Sequence, residues 1–299
     1  MPHLGTVGTA TQNSSATAVA ITLTDDVAVG ATILIGACWD APAGTIPTVS
    51  SVVDSSGNTY TTTPDAVVLA GTTLVVGVIR GRVTTALDSG DTITVTLSAS
   101  RARWCLQADV FDDVDASPLD ETATNAPGSS TSLSTGTTAT TGQALELLYS
   151  VFGFGTGRTV TIPGGWTGGA KVETTAGSTD RALQVVHKYV NAVGAQQGTL
   201  TLSSASTYAG AIATYTYTST EDPVARVAQV KFEAPLAGAA LIAKVAQVKF
   251  EAPTGVTGEA RIAQVKVIVP SRDGQPPYSG IKALVDGSLQ DATISSTAT

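Results

Sequence analysis

The sequence predicts an all-β protein, and three observations support this prediction. Of its 299 residues 42% are apolar and only 13% are charged, which favours a real core built from strands and turns. Many short runs alternate apolar and polar residues at even spacing, and no helical period separates them. One ten-residue pattern also occurs three times near the end. We therefore expect a jelly-roll-like β-sandwich over residues 1–218, followed by a repetitive β region over 219–299.

The strand candidates of the sandwich follow a polar lead-in. In the first half they lie at residues 16–23, 31–39, 47–53, 66–70, 73–79, 91–97 and 103–111. The sequence DSSGNTY at residues 54–60 predicts a hairpin. Residues 112–142, rich in Ser, Thr and Gly, predict an ordered surface loop with weak strand character. In the second half the candidates lie at residues 144–152, 160–162, 170–174, 182–190, 198–202 and 208–217.

The repeated pattern reads RVAQVKFEAP at 226–235, KVAQVKFEAP at 244–253 and RIAQVKVIVP at 261–270. Its side chains alternate, so each copy predicts a half-buried strand closed by a proline. The apolar face supplies the predicted assembly residues Val230, Phe232, Val248, Phe250, Val265 and Val267. Three short strands bury little apolar surface alone, so we expect a homotrimeric β-prism or intertwined stem in which other copies cover them. A further hairpin is expected around residues 285–288.

The charge distribution bears on the partners. Residues 1–220 hold 8 Lys+Arg and 16 Asp+Glu, a balance of −8, and residues 221–299 hold 8 of each. An acidic body disfavours a nucleic-acid partner, which requires a basic face. No apolar run approaches the roughly 18 residues that span a bilayer, so no membrane insertion is expected. The first 15 residues lack a basic segment followed by an apolar core, so no secretory signal is predicted.

Candidates for chemistry are few, and no catalytic, cofactor or metal site is predicted. The two histidines are His3, near the terminus, and His187, inside a strand pattern. Asp109 and Glu146 are carboxylates in strand patterns that could serve glycoside hydrolysis if they converged, but a sheet edge or an interface explains them equally well. The acidic residues of 112–121 could bind calcium, but they lack the spacing of a calcium-binding loop, and a solvated loop is favoured.

The cysteines and tryptophans complete the set of candidates. Cys38 and Cys105 lie in apolar strands and are interpreted as buried free thiols, with a disulfide left open. Trp39 and Trp104 lie beside them and are expected in the core. Trp166, in the glycine-rich sequence PGGWTGG, is the candidate for glycan contact.

Several motifs together resemble known proteins. They are the DSSGNTY turn at 54–60, GDTITVTLS at 90–98, DVFDDVDASPLD at 109–120 and PGGWT at 163–167. With these motifs, residues 1–218 resemble a β-sandwich module of phage and bacterial surface proteins. The repeats and PYSGIKALVDGSL at 277–289 resemble the C-terminal ends of minor tail proteins from phages of actinobacteria.

The resemblance implies a structural protein located in the virion. A minor tail or tail-fibre protein for assembly and host-surface attachment is the first expectation, and a capsid decoration or head-fibre protein is the alternative. A tail-associated enzyme that degrades polysaccharide is the third hypothesis and is disfavoured by the lack of an acid–base constellation. The implied partners are further copies in a homotrimer, other virion proteins and a host cell-surface glycan.

Overall fold

The computed structural model describes residues 3–41, 45–71, 73–175 and 180–218, together with the backbone of 282–285 and 288–291. The chain divides into two compact units, Met1–Thr220 and Glu221–Thr299. Within the described residues there are only strands and their connections, which confirms the all-β prediction. None of these segments is a helix that could cross a membrane.

The first half of the first unit contains nine strands. They are β1 (His3–Gln12), β2 (Ala16–Thr22), β3 (Thr32–Asp40), β4 (Val49–Asp54), β5 (Thr59–Tyr60), β6 (Ala66–Ala70), β7 (Leu74–Arg82), β8 (Thr92–Arg101) and β9 (Trp104–Phe111). One antiparallel sheet has the order β1-β9-β3-β7-β5, with β6 also paired to β7, and a smaller sheet has the order β2-β8-β4. The two sheets enclose an apolar core that includes Ile21, Ile93 and Trp39. This half is therefore a β-sandwich.

The second half contains seven strands. They are β10 (Val114–Ser134), β11 (Leu145–Gly155), β12 (Val160–Thr161), β13 (Thr167–Gly168), β14 (Val172–Glu173), β15 (Arg181–Asn191) and β16 (Thr199–Tyr217). Their main sheet has the order β10-β16-β11-β15-β13, with β14 beside β15 and β12 beside β16.

Two long strands make this half a second sandwich. Over residues 114–125 β10 pairs with the end of β16, and over residues 128–134 it pairs with the beginning of β16. The register shifts between these stretches, and Gly128 has a φ of 107° at the shift, as expected where a bulge bends a strand. The bent ends carry Leu133 and Leu200, which pack with Phe152 and Phe154 in a separate core.

The two halves share one strand order. The pairs β1·β9, β9·β3 and β3·β7 of the first half correspond to β10·β16 over residues 114–125, to β16·β11 and to β11·β15 in the second half. The pair β2·β8 corresponds to β10·β16 over residues 128–134, the bent part. The short strands β5 and β6 on β7 correspond to β13 and β14 on β15, and β4 on β8 corresponds to β12 on β16. An isolated bridge also follows the same position in each half, Val27 with Leu87 and Thr140 with Ala195. The first unit is therefore a tandem pair of equivalent sandwiches.

The main sheets of the two sandwiches pack face to face. Strands β3 and β9 are buried along their whole length, because one face of each lies in the first core and the other contacts the second sandwich. The middle cluster includes Leu34 and Phe111 from the first sandwich and Val151, Val185 and Tyr215 from the second. Burial on both faces explains why residues 31–39 form a nearly continuous apolar run.

Three local predictions are wrong. The polar lead-in contains β1, and residues 112–142 contain the 21-residue β10 instead of a loop. Both are outer strands of their main sheets, so they need few apolar side chains. DSSGNTY is not a hairpin, because β4 pairs with β8 in one sheet and β5 pairs with β7 in the other. The turn instead carries the chain between the sheets.

In the second unit the structure describes an antiparallel hairpin of β17 (Lys282–Val285) and β18 (Ser288–Asp291). Val285 is the register partner of Ser288, at the position where the sequence predicts a hairpin. The three repeats, and with them the assembly residues Val230, Phe232, Val248, Phe250, Val265 and Val267, lie outside the described residues.

Candidate functional site

Asp109, the first carboxylate considered for catalysis, lies between the two sandwiches. It is only 2% exposed. Its carboxylate accepts hydrogen bonds from the hydroxyl of Tyr149 at 2.7 Å, from Thr6 Oγ1 at 2.6 Å and from Gln107 Nε2 at 3.0 Å. Tyr149 belongs to the second sandwich, so Asp109 takes part in a buried hydrogen bond across the interface between the sandwiches. Burial, followed by the Asp109 charge, raises the pKa of the Tyr149 phenol well above its ordinary value.

Glu146, the second carboxylate, faces the other way. It is three residues before Tyr149 on β11, and side chains at odd spacing lie on opposite faces of a strand. Glu146 is fully buried, and neither of its oxygens has a well-formed hydrogen bond. Burial and then the neighbouring Asp120 raise its pKa to about 7. Asp109 and Glu146 therefore lie on opposite sides of one sheet and do not converge.

Two carboxylates of the acidic stretch 112–121 accept hydrogen bonds from other parts of the second sandwich. Asp115 accepts hydrogen bonds from the hydroxyls of Thr216 at 2.7 Å and Thr218 at 2.8 Å, and Asp120 accepts one from the backbone of Gly142. Across the described part of the chain, no three His, Cys, Asp or Glu side chains are grouped to hold a metal ion.

The remaining candidates are mostly structural. Trp39 and Trp104 are buried in the first core with ring centroids 5.8 Å apart. Cys38 and Cys105 are register partners on β3 and β9, and both are buried free thiols. His187 is buried between the sandwiches, and its ring packs edge-on against Phe111 with the ring centroids 5.4 Å apart.

Trp166 lies at the surface of the second sandwich. It is half-buried and packs against the core of Phe152 and Phe154. Its contact with a glycan stays a prediction.

A pocket lined by arginines forms at one end of the first unit. It has a volume of about 330 Å³ and is lined by Ser15, Asp40, Thr73, Ser100, Arg101, Ala102, Arg103 and Arg181. The first sandwich contributes lining residues from the β1–β2 turn, the end of β3, the start of β7, and the end of β8 with the turn after it. The second sandwich contributes the start of β15. The pocket therefore exists only because the two sandwiches are packed together.

Asp40 holds two of the three arginines. A nitrogen of Arg103 donates a hydrogen bond to Asp40 Oδ2, and Arg181 Nε lies 2.8 Å from Asp40 Oδ1 as an ion pair whose N–H is poorly aligned. Arg181 also donates to the carbonyl of Thr73 at 3.2 Å. With Arg101 added, three cations face one carboxylate, so the formal charge of the lining is 3 − 1 = +2.

Arg103 has a strained backbone. Its φ is 56°, and no other described residue except glycine has a positive φ. This left-handed conformation is costly for a long side chain, whereas Gly or Asn adopts it readily. Strain of this kind is concentrated at functional sites.

A neighbouring pocket of about 380 Å³ shares Thr73 and Arg181 with the first and adds Arg158. The Arg158 guanidinium donates to the carbonyls of Gly155, Thr156 and Ala205. Because these carbonyls occupy most of its N–H groups, Arg158 fixes the chain after β11 and offers little to a ligand.

The arginine pocket is not among the sites predicted from the sequence. One signal was available, since Arg101 and Arg103 are two of only eight cations in residues 1–220 and follow an alternating strand. The approach of Arg181, about 80 residues later, depends on the packing of the sandwiches and has no local signal.

Comparisons of the chain with protein-family models, curated proteins and solved structures give no match.

Proposed function

We propose that the chain is a structural protein of a phage virion, most consistent with a minor tail or tail-fibre protein. In this proposal residues 1–218 form a displayed, jelly-roll-like module that attaches to a host-surface glycan. Residues 219–299 assemble three copies through a β-prism or intertwined stem and connect to other virion proteins.

The observation that carries the proposal is the threefold repeat in a unit separate from the sandwiches. The copies at 226–235, 244–253 and 261–270 each alternate apolar and polar residues, a pattern that predicts one apolar strand face, and such a face would require a covering surface. Identical strands from neighbouring chains would supply that surface around a threefold axis. The motif resemblance of both parts of the chain to phage proteins adds independent support.

The double sandwich suits a displayed module. Three apolar clusters are stacked through Met1–Thr220, one inside each sandwich and one between them. Such a body combines a large buried area with surface turns that can vary for recognition.

Sedimentation equilibrium tests the assembly part. We expect a mass of three 30.1 kDa chains for the full chain at micromolar concentration, and a single-chain mass after deletion of residues 224–270. A variant without residues 271–299 is the control and should stay trimeric. A full chain with a single-chain mass would contradict the trimer, and a trimeric 224–270 deletion would move the interface to the sandwiches.

Imaging of virions tests the location. Particles carrying an electron-dense label on this chain should show the label on the tail. Label over the capsid would instead support the decoration or head-fibre alternative. Unlabelled particles, with the chain detected only in infected cells, would contradict the virion proposal altogether.

A further inference from the structure

We infer that the pocket formed by Arg101, Arg103 and Arg181 binds an oxyanion, the phosphate, sulfate or carboxylate group of a larger ligand. This inference stands on the chemistry of the pocket and does not depend on the virion role. If that role is correct, the pocket indicates that the module recognises an anionic group.

The first support is unsatisfied donors. The Nε atoms of Arg101 and Arg103 are buried and have no hydrogen-bond acceptor. Among the described residues, the Arg101 side chain has one hydrogen bond, to the adjacent carbonyl of Ser100 at 2.7 Å. A buried N–H without an acceptor is costly, and the cost is greater for a charged group. A small rotation of either guanidinium group would present its Nε–H to an oxyanion in the pocket, which would supply the missing acceptor.

The second support is charge. Residues 1–220 carry a balance of −8, yet three of their eight cations line this one pocket against a single carboxylate. The charge remains positive even when Asp180 of the adjoining pocket is counted, and clustered positive charges attract an anion. The planar fork of N–H groups on arginine matches the geometry of carboxylate and phosphate.

The third support is how the side chains are held. Asp40 engages Arg103 and Arg181, which orients both guanidinium groups before a ligand arrives. Ser15 and Ser100 add hydroxyl groups to the lining. Prepositioned donors bind more tightly because less side-chain entropy is lost.

The strained backbone of Arg103 indicates that its guanidinium is needed at this position. If stability alone governed this turn, Asn or Gly would serve better at a φ of 56°. An arginine at this position is explained by its guanidinium. The volume of about 330 Å³ accommodates a phosphate together with part of an attached sugar.

Isothermal titration calorimetry of the full chain at constant ionic strength tests the inference. The probes are inorganic phosphate, sulfate and glucuronate, with glucose as the neutral control. We expect saturable binding of at least one anion and none of glucose. Phosphate alone would indicate a phosphate-bearing source, glucuronate alone a carboxylate-bearing one, and sulfate alone a sulfated one.

Two variants locate the binding. Arg103→Asn removes the guanidinium while suiting the left-handed backbone, and Arg101→Gln removes a side chain whose assigned hydrogen bond is to a neighbouring carbonyl. Each should weaken binding by about ten- to a hundredfold. Lys188→Gln makes the same change of charge outside the pocket and should leave affinity unchanged.

Circular dichroism and thermal unfolding confirm that each variant is folded. Equal affinity in all four proteins, or no saturable binding of any of the three anions, would overturn the inference. A loss in Lys188→Gln as large as that in Arg103→Asn would also overturn it, because the effect would then reflect total charge.

Discussion

The two sandwiches of the first unit have the same strand order but connect their sheets differently. In the first, the chain leaves β1 and enters β2 through a turn at residues 13–15, and it leaves β8 and enters β9 through residues 102–103. In the second, β10 and β16 are single strands of 21 and 19 residues that continue from the main sheet into the bent part that covers it. A bulge near Gly128 bends β10 where the first sandwich has a turn.

The difference shows where a site can arise on a duplicated fold. The β1–β2 turn supplies Ser15 to the arginine pocket, and the end of β8 with the turn after it supplies the segment from Ser100 to Arg103. At the corresponding end of the second sandwich β16 continues through Ser206 and Thr207, which line the adjacent pocket, and the Ser206 hydroxyl already donates to the carbonyl of Thr207. Turn residues are released from ladder hydrogen bonding and can carry ligand-binding side chains.

Core truncations in each sandwich test whether the two halves unfold as one. Trp104→Ala in the first core and Phe152→Ala in the core of the second should each reduce the free energy of unfolding by about 3–5 kcal/mol, the cost of a large buried cavity. The middle cluster joins both halves, so urea unfolding should stay a single transition in both variants. A second transition in either curve would show that the sandwiches are independent.

Asn58 tests a feature that belongs to the first sandwich only. Its buried amide accepts hydrogen bonds from the backbone of Thr84 and Thr85 at 2.7 and 2.8 Å, and it donates to Asp54. Asn58→Ala leaves these groups without partners and should cost about 3 kcal/mol, measured by urea unfolding. Asn191→Ala, an exposed control at the end of β15, should change stability by less than about 0.5 kcal/mol. Equal effects would contradict the assigned role.

Gly36 tests the contact between the sandwiches. A Cβ at this position would lie 2.5 Å from a methyl group of Val185 on the facing sheet. Gly36→Val should therefore force the sheets apart and reduce the free energy of unfolding by about 2 kcal/mol. The near-ultraviolet circular dichroism of the interface tyrosines should change as well. Gly164→Val is the matched control, because a Cβ there meets nothing within 4 Å. Similar losses in both would show that backbone freedom matters more than the contact.

Glu146 tests the cluster that it forms with Asp120 and Asp115 in the second sandwich, and it should give the smallest effect. Its pKa of about 7 in the folded protein lies above the ordinary value of 4.5. The folded state therefore binds more protons between these values, and Glu146 lowers stability as pH rises through that window. Glu146→Gln should stabilise the protein by about 1 kcal/mol near pH 8 and have little effect near pH 4.

The control for this measurement is Glu121→Gln, a neighbouring half-buried carboxylate. Thermal unfolding across the pH range should show a reduced slope only for Glu146→Gln. An unchanged slope in that variant would mean that Asp120 and Asp115, the other carboxylates around the site, dominate the pH dependence.

The strands that the sequence could predict are those with two-sided or alternating burial. The runs at 31–39 and 91–97 correspond closely to β3 and β8, because their side chains meet a core at regular spacing. The two long strands that were missed, β1 and β10, occupy the same outer position in the two sandwiches. Such a strand needs few apolar residues, and its polar composition resembles that of a loop.

The duplication also had a local signal. TITV at 92–95 and TLTL at 199–202 occupy equivalent positions, where Ile93 and Leu200 pair with β2 and with the bent part of β10. Elsewhere the halves differ in sequence, since Trp39 and Trp104 pack the first core and Phe152 and Phe154 pack the second. Different side chains can fill equivalent cores as long as volume and alternation are kept.

The sequence by itself determined the all-β class, most of the strands and the buried places of Trp39, Trp104 and both cysteines, because alternation and composition act over a few residues. Only the tertiary structure decided the pairing of the two sandwiches, the opposite orientations of Asp109 and Glu146, and the meeting of Arg181 with Arg101 and Arg103. These features depend on which sheets face each other. That choice is made by contacts between residues far apart in the chain, for which a single sequence carries no local pattern.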